Sequence, residues 1–529
     1  MKLSVVNAPL ARTASYNSVT SDEKHHAPKL ERGLGPLDAT MIVVGSMIGS
    51  GIFLVSAESS RLVGAPGWLL VAWALAGVLT ITGALCCAEL AGMMPQAGGQ
   101  YVFLREAYSP AIGFLFGWSL LLIIQTGTIA AVAIAFANFI GVLAPVVSAN
   151  NYLLAPQRVF GKYAVSLSTQ QLVAVLMILL LTATNTRGLK LGKLIQNSFT
   201  FTKTAALAAL ILIGLVFGAN AGSAAHTSAW WDSTANGWTP QGAQSDLALT
   251  GTVALLALLG RAMVGPLFAQ SAWNNVTFTA GEVREPGRNL PRALLWGCAL
   301  VVALYLLANL AYVVTLPLKG IQTAPQNRVA TATMAVIFGE RGAMLMACAI
   351  IVSTFGCNNG LILAGARVYY AMARDGLFFR RVGSLNARRV PAVALIIQGV
   401  WAALLTLPRT VTETIDASTR AASVTYGNVY TQLLEYIISA DLVFYALMVG
   451  AVIRLRRKLP DAPRPYRTFG YPLVPLVYIL LALLLVLDLA YLTPETSGIG
   501  YLLVLTGIPI FFLWRRQAQS QVSSPKSQV

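Results

Sequence analysis

Long apolar runs separated by short polar stretches fill most of this chain. They lie at about 37–60, 66–94, 109–146, 169–186, 193–219, 247–281, 289–317, 341–373, 390–408, 429–455, 472–492 and 498–514. A helix needs roughly 20 residues to cross a hydrocarbon core of about 30 Å. In lipid, backbone polar groups need partners inside the structure, so only helices or closed barrels span. The alternating segments of a barrel, roughly ten residues each, are missing. The pattern predicts an all-α membrane protein of twelve spans, the longer ones tilted or extended past the bilayer.

Two runs break the helical pattern. The first holds Gly45, Gly49 and Gly51 at mid-membrane. Each glycine costs about 1 kcal/mol against alanine inside a helix. Gly45 and Gly49 have the spacing of close helix packing. The other reading is an unwound stretch that offers backbone N–H and C=O groups to a ligand, tolerated only where it lines a cavity. The sixth run holds Pro266, which removes a helix hydrogen bond. Gln270, Ser271, Asn274 and Asn275 follow it at membrane depth. Interrupted segments at corresponding places in two halves point to a transporter binding site. Spans one and six correspond as first members of two five-helix repeats, at about 34–219 and 247–455, which favours the unwound reading.

Charge then sets orientation. Arg187, Lys190 and Lys193 follow span four, Arg284, Arg288 and Arg292 span six, and Arg380, Arg381, Arg388 and Arg389 span eight. Arg454, Arg456, Arg457 and Lys458 end span ten, and Arg515 and Arg516 end span twelve. The stretches 220–246 and 493–497 have no lysine or arginine. Cations gather in cytoplasmic loops, so both termini are expected inside. The net charge of +17 is therefore read as topology rather than as nucleic-acid binding.

Composition agrees. Hydrophobic residues make up 56% and charged residues 11%, where a soluble protein has roughly a quarter charged. Cys86, Cys87, Cys298, Cys348 and Cys357 fall in apolar stretches and read as reduced core residues. Residues 1–33 read as a disordered cytoplasmic tail, residues 515–529 as another, and 34–514 as the membrane domain, ending in helices over 472–514. The polar loop 409–428 is placed outside, with no role assigned.

Few charges fall inside the spans. Lys203 lies ten residues past Lys193, about 15 Å along the fifth span at a 1.5 Å rise. An intramembrane lysine is a functional candidate; the alternative is snorkelling to an interface. Arg261, near the outer start of span six, reads as an extracellular gate, a recruiter of acidic groups or an interfacial anchor. Glu89 reads as structural, and Glu435 and Asp441 as finding partners within the bundle. His25, His26 and His226 lie outside the spans, and no metal spacing or nucleophile motif is present, so neither an enzyme nor a cofactor is predicted.

Several segments carry a resemblance. GSMIGSGIF (45–53) resembles the first-helix motif of L-type amino acid transporters and their bacterial relatives. MMPQAGGQYVFLREAYSPAIGFLFGW (93–118) is similar to the second-to-third-span segment of the amino acid–polyamine–organocation superfamily. EVREPGRNLPRAL (282–294), STFGCNNG (353–360), ARVYYAMARDG (366–376) and RRKLPDAPRPYRTFGYP (456–472) match in order.

The resemblance implies a five-plus-five inverted repeat with two further helices, with alternating access around a central site in the broken helices. It implies a substrate with α-amino and α-carboxyl groups. A half-helix N-terminus offers N–H groups and a partial positive end to a carboxylate. By the family pattern Gly49, Ser50 and Gly51 receive the carboxylate, and carbonyls near Met47, Phe268 and Ser271 receive the amine. Ile48 and Ala269 complete the two segments, and Phe268 covers the substrate. Tyr305, Cys357 and Asn359 match positions at or near the site. Lys203 matches a lysine that stands, in sodium-independent relatives, where a cation binds in sodium-coupled ones.

The expected function is sodium-independent transport of neutral L-amino acids in a cell membrane, as an exchanger. The bulk of Gln270, Ser271 and Ala272, where animal L-type proteins carry smaller residues, points to small substrate side chains. The alternatives are proton-coupled symport, transport of cationic amino acids or polyamines, or a sensor of transporter fold. Neither GSMIGSGIF nor FAQSAW holds the acidic residue that a cationic side chain needs. Animal L-type transporters join a single-span partner through a cysteine between spans three and four. The loop at about 147–168 has none, so no disulfide-linked heavy chain is expected, and the chain is read as a monomer or homodimer.

Overall fold

The computed structural model describes residues 33–221, 229–245, 247–415 and 422–523. Nearly all of the expected tail 1–33, and His25, His26 and His226, lie outside the described residues.

The chain is helical from α1 (Pro36–Met47) onward. Next come α2 (Gly51–Val63), α3 (Pro66–Met93), α4 (Gln100–Ala107), α5 (Pro110–Ser119) and, after one π turn, α6 (Gln125–Leu143). A hairpin of β1 (Tyr152–Phe160) and β2 (Tyr163–Ser168) leads to α7 (Thr169–Asn185) and α8 (Leu189–Ala221). Then follow α9 (Pro240–Ala243), α10 (Gly251–Ala262), α11 (Val264–Ala269), α12 (Asn275–Phe278), α13 (Pro286–Thr315), α14 (Leu318–Gln322), α15 (Val329–Arg374) and α16 (Ala392–Leu404). Strands β3 (Pro408–Ile415) and β4 (Ala422–Tyr426) precede α17 (Val429–Lys458), α18 (Leu473–Leu492) and α19 (Pro494–Ser523).

Ten helical stretches are long and apolar enough to cross a membrane, among the described residues. Two shorter apolar helices, Thr169–Asn185 and Ala392–Leu404, stand where the fourth and ninth spans are expected. Trp296, Leu345, Phe201 and Leu487 are each at least 65% exposed. Large apolar side chains facing outward in this number mark a surface meant for lipid rather than water.

Both predicted breaks are present. Gly45, Ser46 and Met47 end α1, Ile48–Ser50 are not helical, and α2 starts at Gly51. Span six is interrupted between Ala269 and Asn275, with Ala272 at φ 64. α15 is itself two helices, divided at Gly339 with φ 65, so the eighth span begins where the apolar run does.

Three expectations need correction. The chain is not helical only: β1, β2, β3 and β4 form one antiparallel sheet in that order. It joins the loop after span three to the loop before span ten, including most of 409–428. The β1–β2 turn is two residues, with Gly161 at φ 50, as tight hairpins need. The last helix runs to Ser523 rather than stopping at Trp514; Arg515–Gln519 are good helix formers and continue it. Cys348 is exposed on α15, while the other four cysteines are buried.

Candidate functional site

The two breaks lie against each other. A Cβ on Gly51 would stand 2.5 Å from the Cβ of Ala269 and 2.7 Å from its Cα. Only glycine permits that approach. A Cβ on Gly49 would stand 3.0 Å from the Cys357 Sγ, which donates to the Ser46 carbonyl at 3.4 Å. So Met47, Ile48, Gly49, Ser50, Gly51, Phe268, Ala269 and Cys357 do converge, and all are buried.

Tyr305 reaches them from α13. Its hydroxyl donates to the Met47 carbonyl at 2.8 Å and accepts the Gly49 N–H. It therefore ties the end of α1 across the break. Two groups expected to meet a substrate, the Met47 carbonyl and the Gly49 N–H, already have a partner in Tyr305. The first turn of α2, at Gly51 and its neighbours, keeps N–H groups that no helix bond can use.

Lys203 is fully buried, which removes the snorkelling reading. Its Nζ donates to the Gly45 carbonyl near the end of α1. A cation at a helix C-terminus complements the partial negative charge there.

Phe268 is buried and meets Tyr430 of α17 edge-on, with ring centroids 6.0 Å apart. Tyr430 was not foreseen. Its hydroxyl lies 3.0 Å from the Ser50 Oγ, on the first break. One ring thus touches both broken helices. No local pattern marks it, because 380 residues separate Tyr430 from Ser50.

The Phe268 carbonyl accepts from both the N–H and the hydroxyl of Ser271, at 3.1 and 2.7 Å. Gln270 points away from the breaks: its Nε2 donates to the Trp73 carbonyl of α3 at 3.2 Å, and its Oε1 faces Gly77. Its bulk lies between α3 and span six, so it gives no reason to expect small substrates. Asn359 is likewise turned away, its Oδ1 accepting from Asn185 of α7 at 2.9 Å.

Beside Tyr430 lies a small pocket. Leu54, Val55, Val264, Tyr430, Arg261 and Glu435 line it. Arg261 pairs with Glu435 at 3.2 Å and donates to Gln244 at 2.9 Å. It ties α10 to α17 and to the preceding loop.

Other contacts tie the far side of the second break. Leu34 bridges Val283, and Gly98 donates to the Phe278 carbonyl at 3.2 Å. Arg367 and Glu282 form a buried ion pair at 2.9 Å. Glu89 accepts from Arg456 at 2.9 and 2.7 Å and from the Thr468 N–H at 2.7 Å, which fits a structural role. No group of acids, histidines and cysteines suited to a metal occurs among the described residues.

Comparison with known proteins bears on this arrangement. The mouse large neutral amino acids transporter small subunit 2 is 30% identical over 488 residues, covering 92% of this chain and 81% of that protein. Its human counterpart is 31% identical, over 92% of this chain and 80% of its own length. The mouse b(0,+)-type amino acid transporter 1 is 28% identical, over 96% of this chain and 92% of its own. The mouse Asc-type amino acid transporter 1 is also 28% identical, over 92% and 82%. These are animal proteins; the expected kinship with bacterial members is untouched by them. Two are named as small subunits, so the expectation of no heavy chain gains no support. A family profile described as amino acid permease matches residues 34–513. With its paired helix breaks and that match over nearly its whole length, the chain is a multi-pass membrane protein and belongs to the amino acid permease family.

Proposed function

We propose that this chain carries neutral L-amino acids across a cell membrane without sodium, exchanging one for another by alternating access. The observation that carries the reading is the convergence of two broken helices around Gly51 and Ala269, with Lys203 on the end of the first. Free N–H groups at the start of α2 suit a carboxylate, and carbonyls of the second break near Ser271 suit an ammonium group. Lys203 supplies a fixed cation at the Gly45 carbonyl, which supports sodium independence. The relatives named as transporters of neutral amino acids support the substrate class. Ser50 and Gly51 keep the carboxylate and Phe268 covers the substrate, while Tyr305 braces the break through Met47 and Gly49 and Asn359 has no part in the site.

The two shorter helices complete twelve spans, in two inverted repeats of five with α18 and α19 beyond them. The arginine-rich end faces the cytoplasm with both termini, and the sheet faces outward. A disulfide to a partner through 147–168 is not available, since that loop has no cysteine.

The test is uptake of labelled alanine and labelled leucine by proteoliposomes, with and without unlabelled amino acid inside, in sodium and in choline buffer. Uptake that needs internal amino acid and ignores sodium is expected. A requirement for sodium would overturn the role of Lys203. Uptake into empty vesicles would overturn exchange.

A further inference from the structure

Asp441 stands in the middle of α17 and is 4% exposed. Among the described residues no cation pairs with it. The titratable groups around it are Tyr445, one turn on in the same helix, and Tyr478 from α18, with Cys87 and Cys86 of α3 beyond them. None is a base that could neutralise a carboxylate. An unpaired ionised carboxylate in such surroundings is expensive, and a neutral carboxyl is not.

The hydrogen bonds nearby have a fixed direction. Gln100 Nε2 donates to the Phe444 carbonyl at 3.1 Å, and a carbonyl can only accept. Gln100 Oε1 is then the acceptor for Asn274 Nδ2, at 2.7 Å. Asn274 Oδ1 therefore faces Tyr445 and takes its hydroxyl proton, at 3.4 Å. A tyrosine hydroxyl has a single proton to give. Tyr445, one turn on from Asp441, is also the side chain placed to donate to its carboxylate. With the Tyr445 proton directed at Asn274, an ionised Asp441 would have neither that donor nor a cation, so in this arrangement the carboxyl keeps its proton.

Asn274 belongs to the interrupted stretch of span six, beside Trp273, whose ring stacks on Tyr445 with centroids 5.1 Å apart. We propose that Asp441 is a proton-binding site of the transport cycle, linked through Tyr445 to the second broken helix. Protonated Asp441 lets Tyr445 hold Asn274. When Asp441 gives its proton to entering water, the Tyr445 hydroxyl turns to the carboxylate and releases Asn274. Movement of the interrupted stretch is thereby tied to one proton. This rests on the transport reading above but not on which amino acid is carried.

Two measurements on the full-length purified protein test it. Infrared titration without substrate should show a protonated-carboxyl band that Asp441→Asn lacks. Calorimetry of alanine or leucine binding, in buffers of different ionisation enthalpy, should show buffer-dependent heats in the wild type. That dependence should be lost in Asp441→Asn and altered in Tyr445→Phe. If Asp441→Asn does not fold, Tyr445→Phe and the wild type carry the comparison. Absence of the band, or heats independent of buffer, overturns the proposal. No binding heat with either amino acid would instead sink the substrate reading, and the infrared titration would still decide whether Asp441 titrates.

Discussion

Gly51 at the start of α2 touches Ala269 at the end of α11, with 2.5 Å between a Cβ built on the glycine and the Cβ of the alanine. The contact holds the two breaks against each other. Gly51→Ala should force them apart. Overpacking of this kind costs about 1–3 kcal/mol, and each ~1.4 kcal/mol is a factor of ten. Exchange is expected to fall by roughly tenfold or more, with the chain still folded by size-exclusion chromatography. A wild-type rate would show that the breaks need not close on each other.

Lys203→Met keeps the apolar stem and removes the ammonium group from the Gly45 carbonyl. A hydrogen bond from a charged group contributes about 1.5–3 kcal/mol. The initial rate of exchange should drop by roughly ten- to a hundredfold. Rates measured in sodium and in choline decide the case. An unchanged rate in both would leave Lys203 a mere buried filler.

Tyr430→Phe removes the hydroxyl from Ser50 but keeps the ring against Phe268. The loss of one neutral hydrogen bond is worth about 0.5–1.5 kcal/mol. The apparent KM for external substrate should rise by roughly two- to tenfold, with little change in thermal midpoint. Tyr430→Ala should do more, because Phe268 then loses its edge-on partner.

How much of this was legible from sequence varies by residue. The breaks were, because Gly45, Gly49, Gly51 and Pro266 are local violations of helix propensity. So was the importance of Lys203, a charge in an apolar run. Tyr430 was not legible, since its role depends on a contact across 380 residues. Gln270 misled, because composition gives its bulk but not its direction, and it faces Trp73 rather than the site. The sheet was missed for another reason. The alternation in Tyr163–Ser168, where Ala164, Ser166 and Ser168 are buried, is short and built from small residues. Such a run has little weight beside long apolar helices.

Glu89 tests stability rather than transport. It is 1% exposed and takes hydrogen bonds from Arg456 and Thr468 while Arg464 stands 3.4 Å away. Removing one member of a buried ionic cluster strands the others and costs about 3–5 kcal/mol. Glu89→Ala should lower the thermal midpoint in detergent sharply and reduce yield. Glu89→Gln should lose less, because it still accepts from the Thr468 N–H. Equal midpoints for wild type and Glu89→Ala would refute the argument.

Arg261 and Glu435 offer a measurement of coupling across the pocket beside Tyr430. Their side chains are 22% and 12% exposed, so solvent screens the pair only in part. Thr496 adds a second bond to Glu435 at 2.8 Å, which joins α19 to the same tie. Arg261→Gln and Glu435→Gln should each destabilise the protein. The double variant should lose less than their sum, by a coupling of roughly 0.5–3 kcal/mol. The pair holds α10, which precedes the second break, to α17, which holds Tyr430 and Asp441. Either single variant should therefore also change the rate of exchange. Additive losses in stability with unchanged exchange would mean that Arg261 anchors only the surface.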